Sequence, residues 1–581
     1  MELKNLVVKN FRNFKEADIE LSNQNVIFGM NDVGKTNLLY ALRFLLDRQI
    51  RQYGFKDSDF FQKDTSSVIE ITLELSLSDR ITDKDTQLLI SKVSGGRKKE
   101  NLETFYIQVI GTYNDKEYFG NPTLYWGSMI DNLSEIPSKG ILTELDRLFE
   151  VVYVDPTIDL EDTFSKNRKK LFDQRKLSDE DILLSDEVQV LTDSVNTKIG
   201  EMKVIQNFQN TLTDEYKLLK EEEIKIEMKS EMAIKGYFGD LTPYIKRDGD
   251  DKHYPTSGDG RKKLLAYSLL NHITKEYESN KITIYLIEEP ENSLHRSMQI
   301  ALSKQLFQNE VYDYFFLSTH SSELLYEMDN ASLIRLYNDE IVNCASHIYH
   351  VDEDYKEMKK ELNRSLATAL FANKVLLIEG PSERVLFEKV LEQTNPTYEL
   401  DGGYILEVDG VKFKPYYDVL KALNIITIVK TDNDLKAKRG EKKHFDLIGL
   451  NRCLELIGES KKDYVEIDYS TKDINGETIW KESEKTIEVK KEKFNIYHRE
   501  AELIKKINYR DIYLSIIDLE HDLYEVIGGR MEEILEKSDP ITHLQYAKMV
   551  NMIELTKGLT KDDCEKIINH DLFKVLKRLV D

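Results

Sequence analysis

Lys374-Val-Leu-Leu-Ile-Glu-Gly-Pro-Ser-Glu383 is the stretch whose reading decides the fold. Four consecutive apolar residues, Val375 to Ile378, suit a parallel strand covered on both faces, and the glycine and proline that follow open a helix. Open α/β sheets place their chemistry at the carboxyl ends of such strands, where Glu379 falls. A second apolar run (Ile425, Ile426, Ile428, Val429) ends in Thr431-Asp432-Asn433-Asp434. If the two strands are neighbours, three carboxylates converge on one small volume, an arrangement that is costly unless divalent cations neutralise it. Singly, each piece also suits a helix N-cap or an Asx-turn. Together, in order and both on strand ends, they point to a metal site.

The pair resembles the Toprim fold, the Mg-binding domain of topoisomerases, primases and some nucleases, whose mark is Glu-Gly after one strand and Asp-x-Asp after a later one. Glu407-Val408-Asp409-Gly410, after Tyr404-Ile405-Leu406, fits that family's intervening strand.

The chain's 581 residues allow about three domains of ordinary size, and 40% hydrophobic with 10% aromatic residues excludes wholesale disorder. A formal charge of −24 argues against coating DNA by bulk attraction, so nucleic-acid contacts must use local basic patches. Three scattered cysteines, Cys344, Cys453 and Cys564, have no zinc spacing and fit a reducing, cytoplasmic setting. The N-terminus starts on a strand pattern without a signal-peptide pattern, and no apolar window is long enough to span a bilayer.

Upstream, Leu6 to Val8 and Val26 to Phe28 form predicted strands. The second runs into Gly29-Met30-Asn31-Asp32-Val33-Gly34-Lys35-Thr36 and an amphipathic helix with Leu38, Leu39, Ala41, Leu42, Leu45 and Leu46. This is the full phosphate-loop pattern in its strand-loop-helix context. Backbone N–H groups around Asn31 and Gly34 would wrap the phosphates, Lys35 would bridge the β- and γ-phosphates, and Thr36 would hold Mg²⁺. Much later the apolar run Ile282 to Ile287 ends in Glu288-Glu289-Pro290-Glu291. Glu288 would orient the Mg²⁺ water shell and Glu289 polarise an attacking water, although a bare Glu-Glu also suits a surface turn. Thr256-Ser257-Gly258-Asp259-Gly260-Arg261 opens a helix, and Phe315-Phe316-Leu317-Ser318-Thr319-His320 ends another strand.

These pieces, in this order, resemble the ABC-type ATPase heads of chromosome-maintenance and recombination proteins. The resemblance implies that Ser257 and Gly258 form a signature loop touching the partner subunit's ATP, that His320 reads the same phosphate, and that Arg12, in Lys9-Asn10-Phe11-Arg12-Asn13-Phe14, lies near the nucleotide. A signature loop that acts across subunits has no role in a monomer, so a homo-oligomer is expected. The metal acid is Glu rather than the usual Asp, and the signature departs from the common one; both put rapid turnover in doubt.

Between the two halves of the head, Leu191, Val195, Ile199, Met202, Ile205, Phe208, Leu212, Tyr216 and Leu219 fall at helical spacing. This predicts a helical insert, either packed on the head or acting as a dimerisation arm. The resulting division is 1–155 and 240–348 for the two halves of an ABC-type ATPase, 156–239 for the insert, and 349–581 for a C-terminal Toprim α/β domain. Within the last, Lys436-Ala-Lys-Arg-Gly-Glu-Lys-Lys443 is a basic loop that could hold a phosphodiester backbone. Residues 459–493 read as a charged excursion. The run Ile512 to Ile517 ends in Asp518-Leu519-Glu520, and Lys548 falls on a helix between Tyr546 and Met549.

The whole layout resembles the OLD (overcoming lysogenisation defect) family of ATPase nucleases, and within it the nuclease subunits of Gabija anti-phage systems. What the resemblance implies is a two-metal phosphodiesterase using Mg²⁺ or Mn²⁺. One cation would sit on Glu379 and Glu383 with Asp432 or Asp434, the second on Asp518 and Glu520, and Lys548 would stabilise charge on the phosphate. It also implies ATP with Mg²⁺ in the head, double-stranded DNA as substrate, a dimer or tetramer, and a separate helicase-like subunit. A recombination-type ATPase that clamps DNA without cutting it is the alternative, but it has no need of Glu379, Asp432 and Asp518 together.

Overall fold

Three sheets of four or more strands carry the fold of the computed structural model, which describes residues 1–77, 83–93, 103–139, 142–171, 178–219, 225, 244–246, 253–255, 258–277, 281–408, 413–472 and 478–581. The chain opens with β1 (Glu2–Phe11), β2 (Phe14–Glu20) and β3 (Gln24–Gly29). The first two join β4 (Ile69–Ser76), β5 (Thr104–Asn114), β6 (Phe119–Gly127) and β7 (Ser134–Glu135) in an antiparallel sheet of order β2-β1-β4-β5-β6-β7. In contrast, β3 enters a second sheet of order β8-β9-β10-β3-β11-β12, built with β8 (Phe149–Val154), β9 (Ile282–Glu288), β10 (Phe315–Ser318), β11 (Ala331–Asp339) and β12 (Ile341–Tyr349). All its pairs are parallel except the edge pair β11–β12.

The pairing of β8 with β9, from Phe149↔Ile282 to Val154↔Ile287, joins segments far apart in sequence and makes the head a split one. Helix α1 (Lys35–Leu46) shares one buried cluster with residues of both sheets, burying Leu38, Leu39, Ala41, Leu42, Leu45 and Leu46. Each such leucine contributes about 1.5–3 kcal/mol of burial. That packing fixes the helix N-terminus at the carboxyl end of β3.

The insert is more broken than its apolar spacing suggests. Helices α2 (Asp179–Gly200) and α3 (Lys203–Leu219) interrupt the stripe at Glu201–Met202, directly after Gly200, a residue that favours helix ends over helix interiors. Leu191, Val195, Met202 and Phe208 are more than half exposed, so this part of the stripe does not lie on the head. Helix α4 (Asp259–Tyr277) then leads back to β9.

The third sheet contains the deciding stretch. Strands β13 (Lys374–Ile378), β14 (Gly403–Glu407), β15 (Ile426–Thr431) and β16 (Ile512–Leu514) run all parallel in the order β14-β13-β15-β16. The two runs predicted as neighbours pair directly, Lys374↔Ile426 to Leu377↔Val429. Val375 and Leu377 face one core and Leu376 and Ile378 another, so both faces are covered, as the unbroken apolar run predicts. The covering and flanking helices used below are α5 (Pro381–Thr394), α6 (Ile448–Leu456), α7 (Glu482–Arg499), α8 (Leu519–Leu535), α9 (Pro540–Tyr546) and α10 (Lys548–Gly558).

Two features of this half differ from the sequence reading. The 459–493 stretch includes the start of the ordered helix α7, whose charges alternate along a mostly solvated surface and mask its helical period. The final apolar run is strand only to Leu514; Ser515 to Ile517 form a connection into α8. Lys548 does fall on a helix, as its first residue: α10 begins there after a break at Ala547, which leaves helical geometry at φ −141° and ψ 68°.

The head and the C-terminal sheet share a core: Val26 and Phe28 of β3 lie in one cluster with Val375 and Leu377 of β13. At the seam the buried Arg335 guanidinium donates to the carbonyls of Leu423 and Asn424 and to Oδ1 of Asn373, just ahead of β13. The Phe371 ring packs against both Phe28 and His320. Among the described residues no helix is long and apolar enough to cross a membrane.

Candidate active site

Parallel strands bring their carboxyl ends to one edge, and the acids of the C-terminal half collect there. Glu379 follows β13, Asp432 follows its neighbour β15, and Asp518 caps α8 after β16. Burial pushes the Asp432 carboxyl well above the usual carboxylate range, and Glu383, Glu379, Asp518 and Glu520 add repulsion. Burial and then Glu379 push Glu383 up to about 8. Burial likewise raises Glu520, against the pull of Lys548. Asp518 goes the other way: burial opposes its ionisation, but hydrogen bonds from His521 outweigh that and hold it low. Five carboxylates in mutual repulsion are stable only beside positive charge.

Several of their oxygens are held by the protein. Glu379 Oε1 accepts from the Thr431 hydroxyl at 2.5 Å, from the Asp432 N–H at 3.0 Å and from Arg452. Glu383, three residues into α5, turns Oε2 back on the N–H groups of Glu379 and Gly380, closing the helix start. Asp518 accepts from the His521 N–H, the His521 ring and Gln545. Asp434 points elsewhere: it is half-exposed and paired with Lys493 Nζ at 3.1 Å. Lys548 is half-exposed, 3.7 Å from Glu520. Burial tends to lower its pKa, but Glu520, Asp432, Asp518 and Asp434 outweigh that and raise it.

With those oxygens engaged, no three His, Cys, Asp or Glu side chains among the described residues stand ready around an ion. Glu383 Oε1, Asp432 Oδ1 and Glu520 Oε2 are nevertheless buried without a hydrogen-bond partner. Orphaned acceptors of this kind are costly, and a hard divalent cation is the ligand that carboxylate oxygens satisfy. The donor set therefore fits Mg²⁺ or Mn²⁺.

Sequence reasoning missed four side chains here: Arg452, Lys493, His521 and Gln545. Lys493 lies in the stretch taken for an excursion, and the other three sit in helices whose facing residues no short motif announces. In the basic loop, Lys438 pairs with Asp446 at 3.8 Å and Lys443 with Asp468 at 2.8 Å. Much of its charge is thereby offset locally.

In the head, Gly34 adopts φ +103°, and a β-carbon there would lie 2.0 Å from the Asn13 side chain, so this position of the loop requires glycine. Lys35 Nζ donates to the carbonyls of Gly29 and Met30. Burial lowers its pKa, with Glu289, Asp32, Glu291 and Glu288 pulling the other way. The Thr36 hydroxyl donates to Glu288 Oε1, and Tyr153 to the other oxygen, so the two residues assigned to the head's Mg²⁺ are in contact. Arg12 donates to Asp59 and Asn37 and lies over the Tyr40 ring, while Asn31 is exposed on the loop. Glu289 Oε1 is 3.6 Å from His320 Nε2. Burial, then the charge of Lys35, lower the His320 pKa. The half-buried Glu291, missed as part of an acidic turn, accepts from the His320 N–H and the Thr319 hydroxyl and so anchors that loop. Gly258, at φ +106°, precedes α4; Ser257, like Asp409 and Gly410, lies outside the described residues.

Comparison with known proteins gives the same two-part picture. Residues 1–325 match the AAA ATPase domain family, and residues 370–434 match the TOPRIM domain of overcoming lysogenization defect protein-like proteins. The chain is 52% identical over 580 residues to endonuclease GajA of Bacillus cereus (strain VD045), covering 100% of this chain and 99% of that protein. It is 22% identical to the Old nuclease of Escherichia phage P2, across 79% of this chain and 81% of that one.

Proposed function

The chain belongs to the family of the endonuclease GajA, in which an ATPase domain precedes an OLD-like Toprim domain, and on that premise we propose that it is a nucleotide-regulated, divalent-metal-dependent endonuclease that cuts or nicks double-stranded DNA in bacterial anti-phage defence. The observation that carries this reading is the acid cluster on adjacent parallel strand ends, with three buried oxygens lacking a partner. Residues 349–581 would hold the cutting centre, 1–155 and 240–348 the nucleotide head, and 156–239 the insert between them.

Glu379, Glu383 and Asp432 would hold one cation, and Asp518 and Glu520 the second. Asp432 is preferred to Asp434 because Asp434 is engaged by Lys493. Such a pair of ions would supply Lewis acidity for hydrolysing a phosphodiester. Lys548, half-exposed and beside Glu520, would offset charge developing on the phosphate. In the head, Lys35, Thr36 and Glu288 would hold ATP with Mg²⁺, beside Arg12, Asn31 and Gly34. Glu289 would polarise the attacking water, His320 would sense the terminal phosphate, and Ser257 and Gly258 would act on the nucleotide of a second copy. A homo-oligomer and a helicase-like subunit, GajB, are the partners this reading implies, in the cytoplasm.

Cleavage of circular duplex DNA in Mg²⁺ across an ATP series tests the regulation. Wild type should change rate severalfold with ATP, and Lys35→Ala should cut at a rate independent of ATP. A protein that binds ATP but never cuts, alone or with GajB, would instead be a DNA clamp.

A further inference from the structure

The geometry points to Arg452, set in place by Gly449, as a positioning residue of the nuclease centre: its guanidinium anchors one oxygen of Glu379 so that the other is presented to a divalent cation. This rests on the nuclease reading above. Neither residue belongs to a motif that suggested the site, and both lie on α6, a helix outside the strand ends that carry the acids.

The placement begins with a close approach. The Gly449 N–H donates to the Asp434 carbonyl at 3.1 Å. A β-carbon at Gly449 would stand 2.1 Å from the Asp432 carbonyl oxygen and 2.7 Å from the Asp434 nitrogen. Any larger residue would push the first turn of α6 off the acid loop. Arg452 follows three residues later, on the same face of the helix. Its side chain is 9% exposed, its Nη1 donates to both Glu379 Oε1 and the Thr431 hydroxyl, and the guanidinium lies 5.3 Å from the centre of the Phe413 ring. Glycine at 449 thus fixes the distance at which arginine at 452 meets the end of β13.

The consequence falls on Glu379. Oε1 receives three donors: the guanidinium, the Thr431 hydroxyl and the Asp432 N–H. Three donors on one oxygen lock the side-chain torsions, and none of them touches Oε2. The pairing also places a fixed positive charge against one of five crowded carboxylates. A guanidinium suits this better than an ammonium, because it stays charged when buried. Partners that orient a ligating carboxylate typically govern metal affinity or activity by 10–100-fold.

Mn²⁺ binding to the full-length, DNA-free protein, measured by calorimetry or electron paramagnetic resonance, tests this beside the Mg²⁺ concentration that half-saturates cleavage. Wild type, Arg452→Met, Arg452→Lys, Gly449→Ala and Glu379→Ala are compared, with binding of a fluorescent ATP analogue reporting an intact head. Arg452→Met should weaken Mn²⁺ by on the order of tenfold or more and raise the half-saturating Mg²⁺ in step. Arg452→Lys should fall between it and wild type, and Gly449→Ala should move the same way by displacing α6. If Arg452→Met does not fold, Arg452→Lys and Gly449→Ala decide the matter. Wild-type Mn²⁺ affinity and Mg²⁺ dependence in the folded arginine variants would overturn the proposal. If Glu379→Ala abolishes metal binding while those variants do not, the positioning role alone fails; if Glu379→Ala changes nothing, the nuclease centre itself is elsewhere.

Discussion

Replacing Asp432 by asparagine is expected to lower DNA cleavage by on the order of a thousandfold while making the cation-free protein more stable. Both effects have one cause. Asp432 is 8% exposed, has an oxygen without a partner, and faces four other carboxylates. The cost of keeping it there is tolerated because a cation is attracted by the same crowding. Asparagine removes the buried charge and its repulsion with the neighbouring carboxylates, so the site gains roughly 1–3 kcal/mol and loses a ligand. The sign of the pH dependence follows from the raised pKa. A carboxyl whose folded-state pKa lies above its unfolded value contributes instability that grows as pH rises from the unfolded pKa to the folded one, then levels off. The melting temperature of Asp432→Asn should therefore exceed that of wild type by more at pH 8 than at pH 5 without added metal, and Mg²⁺ should narrow the gap. Thermal denaturation at the two pH values, with and without Mg²⁺, measures this. A variant that melts below wild type at pH 8 would refute it.

The second large effect lies beneath the acid cluster. Lys430 on β15 and Asp522 on α8 form an ion pair at 2.7 Å with both side chains 1% exposed. Asp522 also accepts from the Ile516 N–H, and Lys430 donates to the Leu572 carbonyl. The pair ties α8, which carries Asp518 and Glu520, to the strand that carries Asp432. Asp522→Ala leaves a buried ammonium without its counter-charge and should cost about 3–5 kcal/mol. The double variant Lys430→Met with Asp522→Leu removes both charges and should recover most of that loss, since a well-packed apolar pair often equals a buried ion pair. Denaturant unfolding of the three proteins checks the order. A double variant as unstable as Asp522→Ala would mean that packing, rather than an unpaired charge, is responsible.

Much of the architecture was legible because it rests on short-range rules. The phosphate loop, the apolar runs ending in acids and the spacing between them are local signals, and β13 and β15 pair as neighbours. Residues that reach the site from outside the strands were not legible. Arg452 looks like any helix-surface arginine until Gly449 is seen against the Asp432 carbonyl. Lys493 sits in a run of charges, where period and composition say only that the segment is solvated. Arg335 carries no motif, yet from β11, one strand in from the sheet edge, its hydrogen bonds reach across from the head sheet to Asn373, just ahead of β13. The helical stripe of the insert illustrates the opposite error: spacing alone gave one helix, and Gly200 ends it.

Conversion of supercoiled plasmid by wild type and by Glu379→Ala, in Mg²⁺ and without ATP, tests the central claim most directly. Wild type should give nicked or linear product and the variant intact supercoil, with ATP-analogue binding unchanged in both. Equal cutting by Glu379→Ala would place the chemistry somewhere other than the strand ends of the C-terminal sheet.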